Sequence, residues 1–357
     1  MTTLWASLAL VFAFSLMARY FAMPAPFSVT QIQPNKILAA AAALTLMLVS
    51  GLRNNIGDTY LYMHAYEVNA YSWDTFYMEK DMGFVVLQLL LKQISEDPQI
   101  LIFTTAFVTN MLIAIVLYKY ARLYELSMYV YITSGAFTVS MNGLRQFLAA
   151  AIIFAATKAL FEGRWKTYFA VVLFASLLHQ SALIMIPIYF LVRRKAWTLS
   201  SFALISTAVL IVAGFDYFSE LIFTMLQGTQ YGHYNEFQEG GASFIRVLVT
   251  GVPLVIAYLG REKLRAIFPK SDIIVNMSLV SMVLMIISTQ NWIFARMTIF
   301  FNLYSLILIG WLVKLFREKE QNFVYLCLLA FYFLFYFIES VVALQLFYSS
   351  DYITWFK

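Results

Sequence analysis

Three arginines in this 357-residue chain, Arg53, Arg145 and Arg296, stand at the ends of long apolar runs. A guanidinium fork matches phosphate oxygens bidentately, so an arginine placed there suits an anionic ligand. The plainer reading of each is a side chain that snorkels to lipid headgroups or pairs with a neighbouring acid. Arg53 lies in Gly51-Leu-Arg-Asn-Asn-Ile-Gly-Asp58-Thr-Tyr60, ten residues holding a cation, two amides, a glycine turn and a carboxylate. Such a cluster can bind phosphate and sugar hydroxyls together, with Arg53, Asp58 and Tyr60 as contacts; alternatively Asp58 neutralises Arg53 or caps a turn. Arg145 lies in Asn142-Gly-Leu-Arg-Gln146, which opens a helical run. The free N–H groups and positive end of a helix N-terminus add to the arginine as an anion site, with Asn142 and Gln146 beside it. A locally paired arginine at a helix start is the alternative.

His179 interrupts an apolar segment in Leu-Leu-His-Gln-Ser-Ala. An ionisable ring at that depth is a candidate functional group, and histidine suits general-base work near neutral pH. The competing reading is a neutral ring bonded to a carbonyl freed at a helix break. Asp58 is the alternative base, and Glu339 a weaker candidate at the end of the last helix. The three histidines are widely separated and form no His-x-x-x-His pair, which argues against a metal site. No glycine-rich phosphate loop with lysine is present, which argues against ATP hydrolysis. No cofactor is expected.

The elements that must position these residues follow from composition. Hydrophobic residues make up 62% and charged residues 12% of the chain, and mean hydropathy is +0.76. A soluble domain carries roughly 25% charge, and one soluble core could not hide such an apolar surplus. Uncharged runs near the ~20 residues of a spanning helix recur throughout. They fall at 3–23, 36–50, 98–118, 126–141, 143–160, 196–214, 244–259, 272–288, 297–313 and 323–347. The first lacks a basic leader and reads as a retained helix rather than a cleaved signal. Many tyrosines and tryptophans flank the runs as interfacial anchors. The net charge of +5 reflects basic cytoplasmic loops, not nucleic-acid binding. Cys327 is the single cysteine, so no internal disulfide can form.

Segment 168–192 is apolar but broken at His179–Ser181 and Pro187. Charge sidedness decides how it folds. If it enters and returns as a broken hairpin, its two basic flanks share one side. Seventeen of the 24 lysines and arginines then lie in cytoplasmic positions: Arg19, Lys36, Lys119, Arg122, Lys158, Arg164, Lys166, Arg193, Arg194, Lys195, Arg261, Lys263, Arg265, Lys270, Lys314, Arg317 and Lys319. The other seven, Arg53, Lys80, Lys92, Arg145, Arg246, Arg296 and Lys357, fall outside, as do both termini. The expectation is a single transmembrane domain over residues 1–357 with an all-α fold. It is a polytopic integral membrane protein of about 10–12 transmembrane helices, including the broken hairpin, plus a short interfacial amphipathic helix. External loops span 51–97 and 215–243. The first holds the amphipathic helix near 83–94, with Phe84, Leu87, Leu91 and Ile94 on one face lying on the membrane surface. The second, with four glycines and the lone His233, reads as a mobile flap.

Four blocks make the sequence resemble the EpsG/Wzy-like family of exopolysaccharide and O-antigen polymerases: GLRNNIGDTY at 51–60, MNGLRQFLAAAI at 141–152, LLHQSALIMIP at 177–187 and ARMTIFF at 295–301. They occur in the family's order over about 250 residues. Where the family usually reads Glu-x-Gly-Tyr, this chain has Asp81-Met-Gly83-Phe84, and the tyrosine expected after Arg296 is replaced by Phe300 or Phe301. The resemblance implies a multi-pass protein of a bacterial inner membrane whose active site faces the periplasm. It implies a glycosyltransferase whose donor and acceptor glycans are carried on undecaprenyl pyrophosphate, with the bilayer and a chain-length regulator as partners. On that reading Arg145 and Arg296 hold the pyrophosphate, Arg53 with Asp58 orients donor or acceptor, and His179 is the base. A lipid-linked glycan flippase and a membrane O-acyltransferase are the rival classes. A broken mid-membrane helix suits the first, although no inverted repeat is visible, and a membrane-embedded histidine suits the second.

Overall fold

The computed structural model describes residues 1–74, 76–78, 80–226 and 240–353. It is all-α apart from a two-residue hairpin pairing Met23–Pro24 with Ile32–Gln33. The helices are α1 (Thr2–Tyr20), α2 (Lys36–Gly51), α3 (Thr59–Val68), α4 (Met82–Lys92), α5 (Gln99–Tyr120), α6 (Tyr124–Thr133) and α7 (Ala136–Asn142). They continue with α8 (Leu144–Ala155), α9 (Thr157–Glu162), α10 (Trp165–Leu178), α11 (Met185–Val192), α12 (Leu199–Ala213) and α13 (Phe215–Leu226). The last are α14 (Phe244–Leu259), α15 (Arg261–Ile267), α16 (Ser271–Ile287), α17 (Ile293–Met297), α18 (Ile299–Leu312) and α19 (Glu318–Tyr336).

Among the described residues α1, α5 and the continuous stretch Glu318–Ala343 are each long and apolar enough to cross a membrane alone, and α14 with α15 forms a pair bent by 82°. Several runs that read as single spans are two helices. The 126–141 run breaks at Gly135, whose φ is +82, and the 143–160 run breaks at Ala156. Short α17 precedes α18 across Thr298. The chain is a multi-pass membrane protein whose polar residues cluster where these breaks fall.

α6 and α18 form the centre, and α6 is buried along its whole length. α18 is apolar almost all round, as a helix in a bundle interior is, and the one acid of α6, Glu125, is paired with Arg19. The two helices approach closely because Gly310 carries no side chain: a Cβ there would sit 2.6 Å from Ser127 Oγ. Ser127 Oγ donates to the Leu306 carbonyl at 2.8 Å, a small-residue, hydroxyl-bonded interface of the kind helices use in lipid. α8 and α16 pack on this pair, while α1, α12, α14 and α19 lie outside and leave leucine and phenylalanine faces exposed.

The broken hairpin is present. α10 rises to Leu178, His179 is extended (φ −158), a 3₁₀ turn covers Gln180–Ile184, and α11 returns. The return is fixed by the Tyr168 and Tyr189 rings, 5.3 Å apart, and by Arg193 Nη1 donating to the Leu160 carbonyl. Both basic flanks, 158–166 and 193–195, therefore lie at one end.

Both long connections contain helices among the described residues. The first contains α3 and α4. α4 turns Phe84, Val85, Gln88, Leu89 and Leu91 inward, and Gly83 packs on Leu177 of α10. Of the expected face, Phe84, Leu87, Leu91 and Ile94, Phe84 and Leu91 are buried, whereas Ile94 is 75% exposed because the helix ends at Lys92. The second opens as α13; Gly228, Gly232 and His233 lie outside the described residues, and Gly240 and Gly241 lead into α14.

Candidate functional site

Each of the four sequence blocks falls on a helix break. Block 51–60 leaves α2 and enters α3, 141–152 bridges α7 and α8, 177–187 bridges α10 and α11, and 295–301 bridges α17 and α18. A break frees backbone polar groups, which in a membrane bundle must be satisfied within protein or line a cavity. The breaks therefore gather the polar residues in one region.

Arg145 sits in the first turn of α8, whose N-cap Gly143 offers no side-chain cap. Its Nη1 lies 3.1 Å from Asp81 Oδ2, and its guanidinium carbon lies 5.8 Å from the Tyr62 ring centre and 5.7 Å from that of Phe84. The Nε atom is buried without a hydrogen-bond partner. Asp81 is the pivot of this corner. Its side chain is 5% exposed, its backbone is left-handed (φ +56), and its Oδ1 accepts the Gln180 N–H at 2.9 Å. A non-glycine residue in that conformation costs energy that surrounding contacts must offset, a feature that clusters at functional sites. Burial pushes the Asp81 carboxyl above the usual carboxylate range, opposed by the Gln180 N–H and the Arg145 charge.

One residue before Gln180, the buried His179 ring is held by Nδ1 at 2.6 Å from Ser181 Oγ. Arg145 and Arg296 are both within electrostatic reach of the ring. Asp81 thus fixes an arginine with one oxygen and the backbone beside the histidine with the other.

Across the site, Arg296 Nη2 lies 3.9 Å from Asp58 Oδ2, and its guanidinium stands 4.9 Å from the Trp292 ring centre. Gln146 Nε2 donates to the Arg296 carbonyl at 2.9 Å, tying α8 to the α17–α18 break. The Asp58 N–H donates to Asn142 Oδ1 at 3.0 Å. That contact needs Gly57: its φ is +55, and a Cβ there would fall 2.3 Å from Asn142 Oδ1. Asp58, Asn142, Arg145, Gln146, His179 and Arg296 are therefore brought into one region.

Asn142, Gln146 and Arg296 also line a cavity of about 320 Å³ whose walls include Asn302, Arg246 and Glu339. Arg246 and Glu339 form an ion pair on its wall. The weaker base candidate is thus tied up with a cation rather than placed beside His179. Its size and mixed lining suit a sugar-sized group. Among the described residues no group of three or more His, Cys, Asp or Glu is placed to hold a metal ion.

The structure gives Arg53 and Tyr60, expected as substrate contacts, partners within the protein. The Arg53 guanidinium is buried at 1% exposure, and every nitrogen points into protein. Nε donates to Thr59 Oγ1 at 2.9 Å, Nη2 to the Met141 carbonyl at 2.7 Å, and Nη1 to the Ser50 carbonyl. Tyr60 is 68% exposed and stacks on His64, 5.9 Å away; the tyrosine that reaches Arg145 is Tyr62, two residues further on.

Asp81, Tyr62, Trp292 and Arg246 were missed as site residues. Asp81 had a signal, the acid of the Asp-x-Gly element before α4. Trp292 had a weaker one, an aromatic four residues before Arg296. Tyr62 and Arg246 carried no local pattern that set them apart.

Fold and site together define a multi-pass helical membrane protein with a polar, arginine-lined site built from broken helices. The EpsG family profile matches residues 36–353, and the chain belongs to that family. Membership carries a membrane-embedded, polysaccharide-polymerase-like role. No curated protein and no solved structure gives a significant match.

Proposed function

We propose that this protein extends a polysaccharide by transferring a glycan from a polyprenyl pyrophosphate carrier to a hydroxyl of an acceptor glycan, at the outer face of a bacterial inner membrane. The observation that carries this reading is that two arginines, Arg145 and Arg296, and His179 come from three separate helix breaks into electrostatic reach of one another. The acceptor oxygen attacks the anomeric carbon, the bond from that carbon to the pyrophosphate breaks, and the acceptor proton passes to His179. The Ser181 contact at Nδ1 supports this role by fixing the ring. Charge developing on the leaving pyrophosphate is met by the two guanidinium groups, so the step calls for no metal. Asp58 steadies Arg296 and is the alternative base. The cavity walled in part by Arg246 and Glu339 has room for the acceptor sugar.

The test is purified protein incubated with lipid-linked repeat units, with products resolved by length. His179→Ala and His179→Gln should both reduce elongation about 10²–10⁴-fold, the usual cost of losing a general base. Donor binding should remain, and elongation should survive EDTA. Elongation by His179→Gln at the wild-type rate would make the ring a structural clamp and Asp58 the base. Movement of the lipid across vesicles with no elongation would favour a flippase, the rival that a re-entrant hairpin suits.

A further inference from the structure

The end of the bundle opposite the site carries a second feature suited to a ligand. α2 and α5 run antiparallel, joined at the site end by Gln99 Nε2 donating to the Gly51 carbonyl at 2.6 Å. At the other end the Tyr118 hydroxyl donates to the Pro34 carbonyl at 2.9 Å. Between the two helices lies an open groove of about 710 Å³ whose walls are almost wholly apolar, with Leu44 and Met47 on one side and Met111 and Ile115 on the other. Lys36 and Lys119 stand at its mouth. Both are exposed, and among the described residues neither is in an ion pair.

We propose that this groove binds a phospholipid with an anionic headgroup, its acyl chain along the apolar walls and its phosphate between Lys36 and Lys119. The two halves of the groove call for opposite chemistries within one ligand. Apolar walls at membrane depth take a hydrocarbon chain, and two unpaired ammonium groups at the interface take a negative head. An anionic lipid carries both. Of the acids at this same end Glu125, Glu162, Glu262 and Asp272 are ion-paired within the protein, so a second copy could offer the two lysines only Glu318 and Glu320 of α19, without the hydrocarbon chain that the apolar walls call for. The site is independent of the glycan-transfer reading and lies in the opposite leaflet.

Native mass spectrometry of the full chain in detergent, with phosphatidylglycerol or phosphatidylcholine of equal chain length, tests the assignment. Phosphatidylglycerol should be retained preferentially. A basic residue near an anionic surface is worth about fivefold, so Lys36→Gln with Lys119→Gln should weaken its binding about 25-fold. That variant should leave phosphatidylcholine unaffected. Ala40→Trp, which replaces an exposed side chain of the groove, should displace both lipids. Unchanged thermal midpoints in both variants establish that the fold is intact; a variant that unfolds is replaced by Lys36→Ser with Lys119→Ser or by Leu44→Ser. Equal retention of the two lipids by wild type would overturn the proposal. So would a dimer that Ala40→Trp dissociates, or inorganic phosphate that competes fully with the lipid.

Discussion

The tripeptide Gly-Leu-Arg occurs twice at helix breaks, ending in Arg53 and in Arg145, and the two arginines meet opposite fates. At 51–53 a helix is ending. Its last carbonyls are unpaired and carry the negative end of the dipole, so the cation folds back on them. Arg53 caps two C-termini at once, through the Ser50 carbonyl of α2 and the Met141 carbonyl of α7. At 143–145 a helix is beginning. The positive end of α8 offers no acceptor, so Arg145 turns outward and is held by Asp81, with its Nε unpartnered. The same three residues build a brace where a helix stops and, on the proposed function, an anion receptor where one starts. Chain direction, not motif, assigns the roles.

The largest expected effect is on the brace. Arg53→Ala strands the Ser50 and Met141 carbonyls in a buried setting, at about 1–3 kcal/mol for each group left unpaired, while the Thr59 hydroxyl keeps its bond to the Ile56 carbonyl. The variant should lose at least ~2 kcal/mol and fail to accumulate in membranes. Arg53→Lys, with one ammonium for three acceptors, should fall in between. Thermal unfolding in detergent and membrane abundance measure both. Should Arg53→Lys unfold like wild type yet make no polymer, Arg53 would be a substrate contact and the comparison would fail.

At the receptor the signs reverse. Arg145→Lys and Arg296→Lys keep the charge and lose the fork. Each should cut polymer formation on the order of 10²-fold, the usual effect of removing one donor from a site of developing charge. Stability should hardly move, since the retained charge still faces Asp81 or Asp58 and the arginine side of each pair is partly exposed. Near-normal polymer from both variants would reduce these residues to headgroup anchors.

Much of the architecture was legible because composition and charge sidedness are cumulative signals. The hairpin at 168–192 followed from basic residues on both flanks, and Arg193 bonding across to Leu160 is its structural expression. The breaks inside 126–141 and 143–160 were illegible, because Gly135 and Ala156 look like ordinary residues of an apolar run. The site was legible as a set of blocks but not as a division of labour. Arg53 and Arg145 share their local sequence, and Tyr60 and Tyr62 differ only in helical phase. Asp81 was visible only as a departure from a family pattern, and its reach to both Arg145 and Gln180 depends on a left-handed turn that spacing does not announce.

The smallest expected effect concerns Asp81, and it sharpens the comparison most. Burial raises its carboxyl, so in the fold the proton is held more tightly than in the unfolded chain. A carboxyl raised in this way favours the fold on the acid side. That advantage is lost as pH rises through the raised value. At neutral pH ionised Asp81 is therefore a burden on stability that Arg145 and the Gln180 N–H only partly offset. Asp81→Asn keeps an oxygen for the Gln180 N–H and removes the buried charge. It should unfold at a temperature equal to or above that of wild type at pH 7, and the gap should close as the wild type is protonated on acidification. Turnover should nevertheless fall several-fold, because Arg145 loses the carboxylate that aims it. Higher stability with lower activity marks a residue retained for positioning rather than for the fold. Thermal midpoints at two pH values, measured beside elongation rates, decide the matter. A lower midpoint for Asp81→Asn at pH 7 would show that the Asp81–Arg145 pair is a second brace, and the contrast between the two Gly-Leu-Arg breaks would lose its meaning.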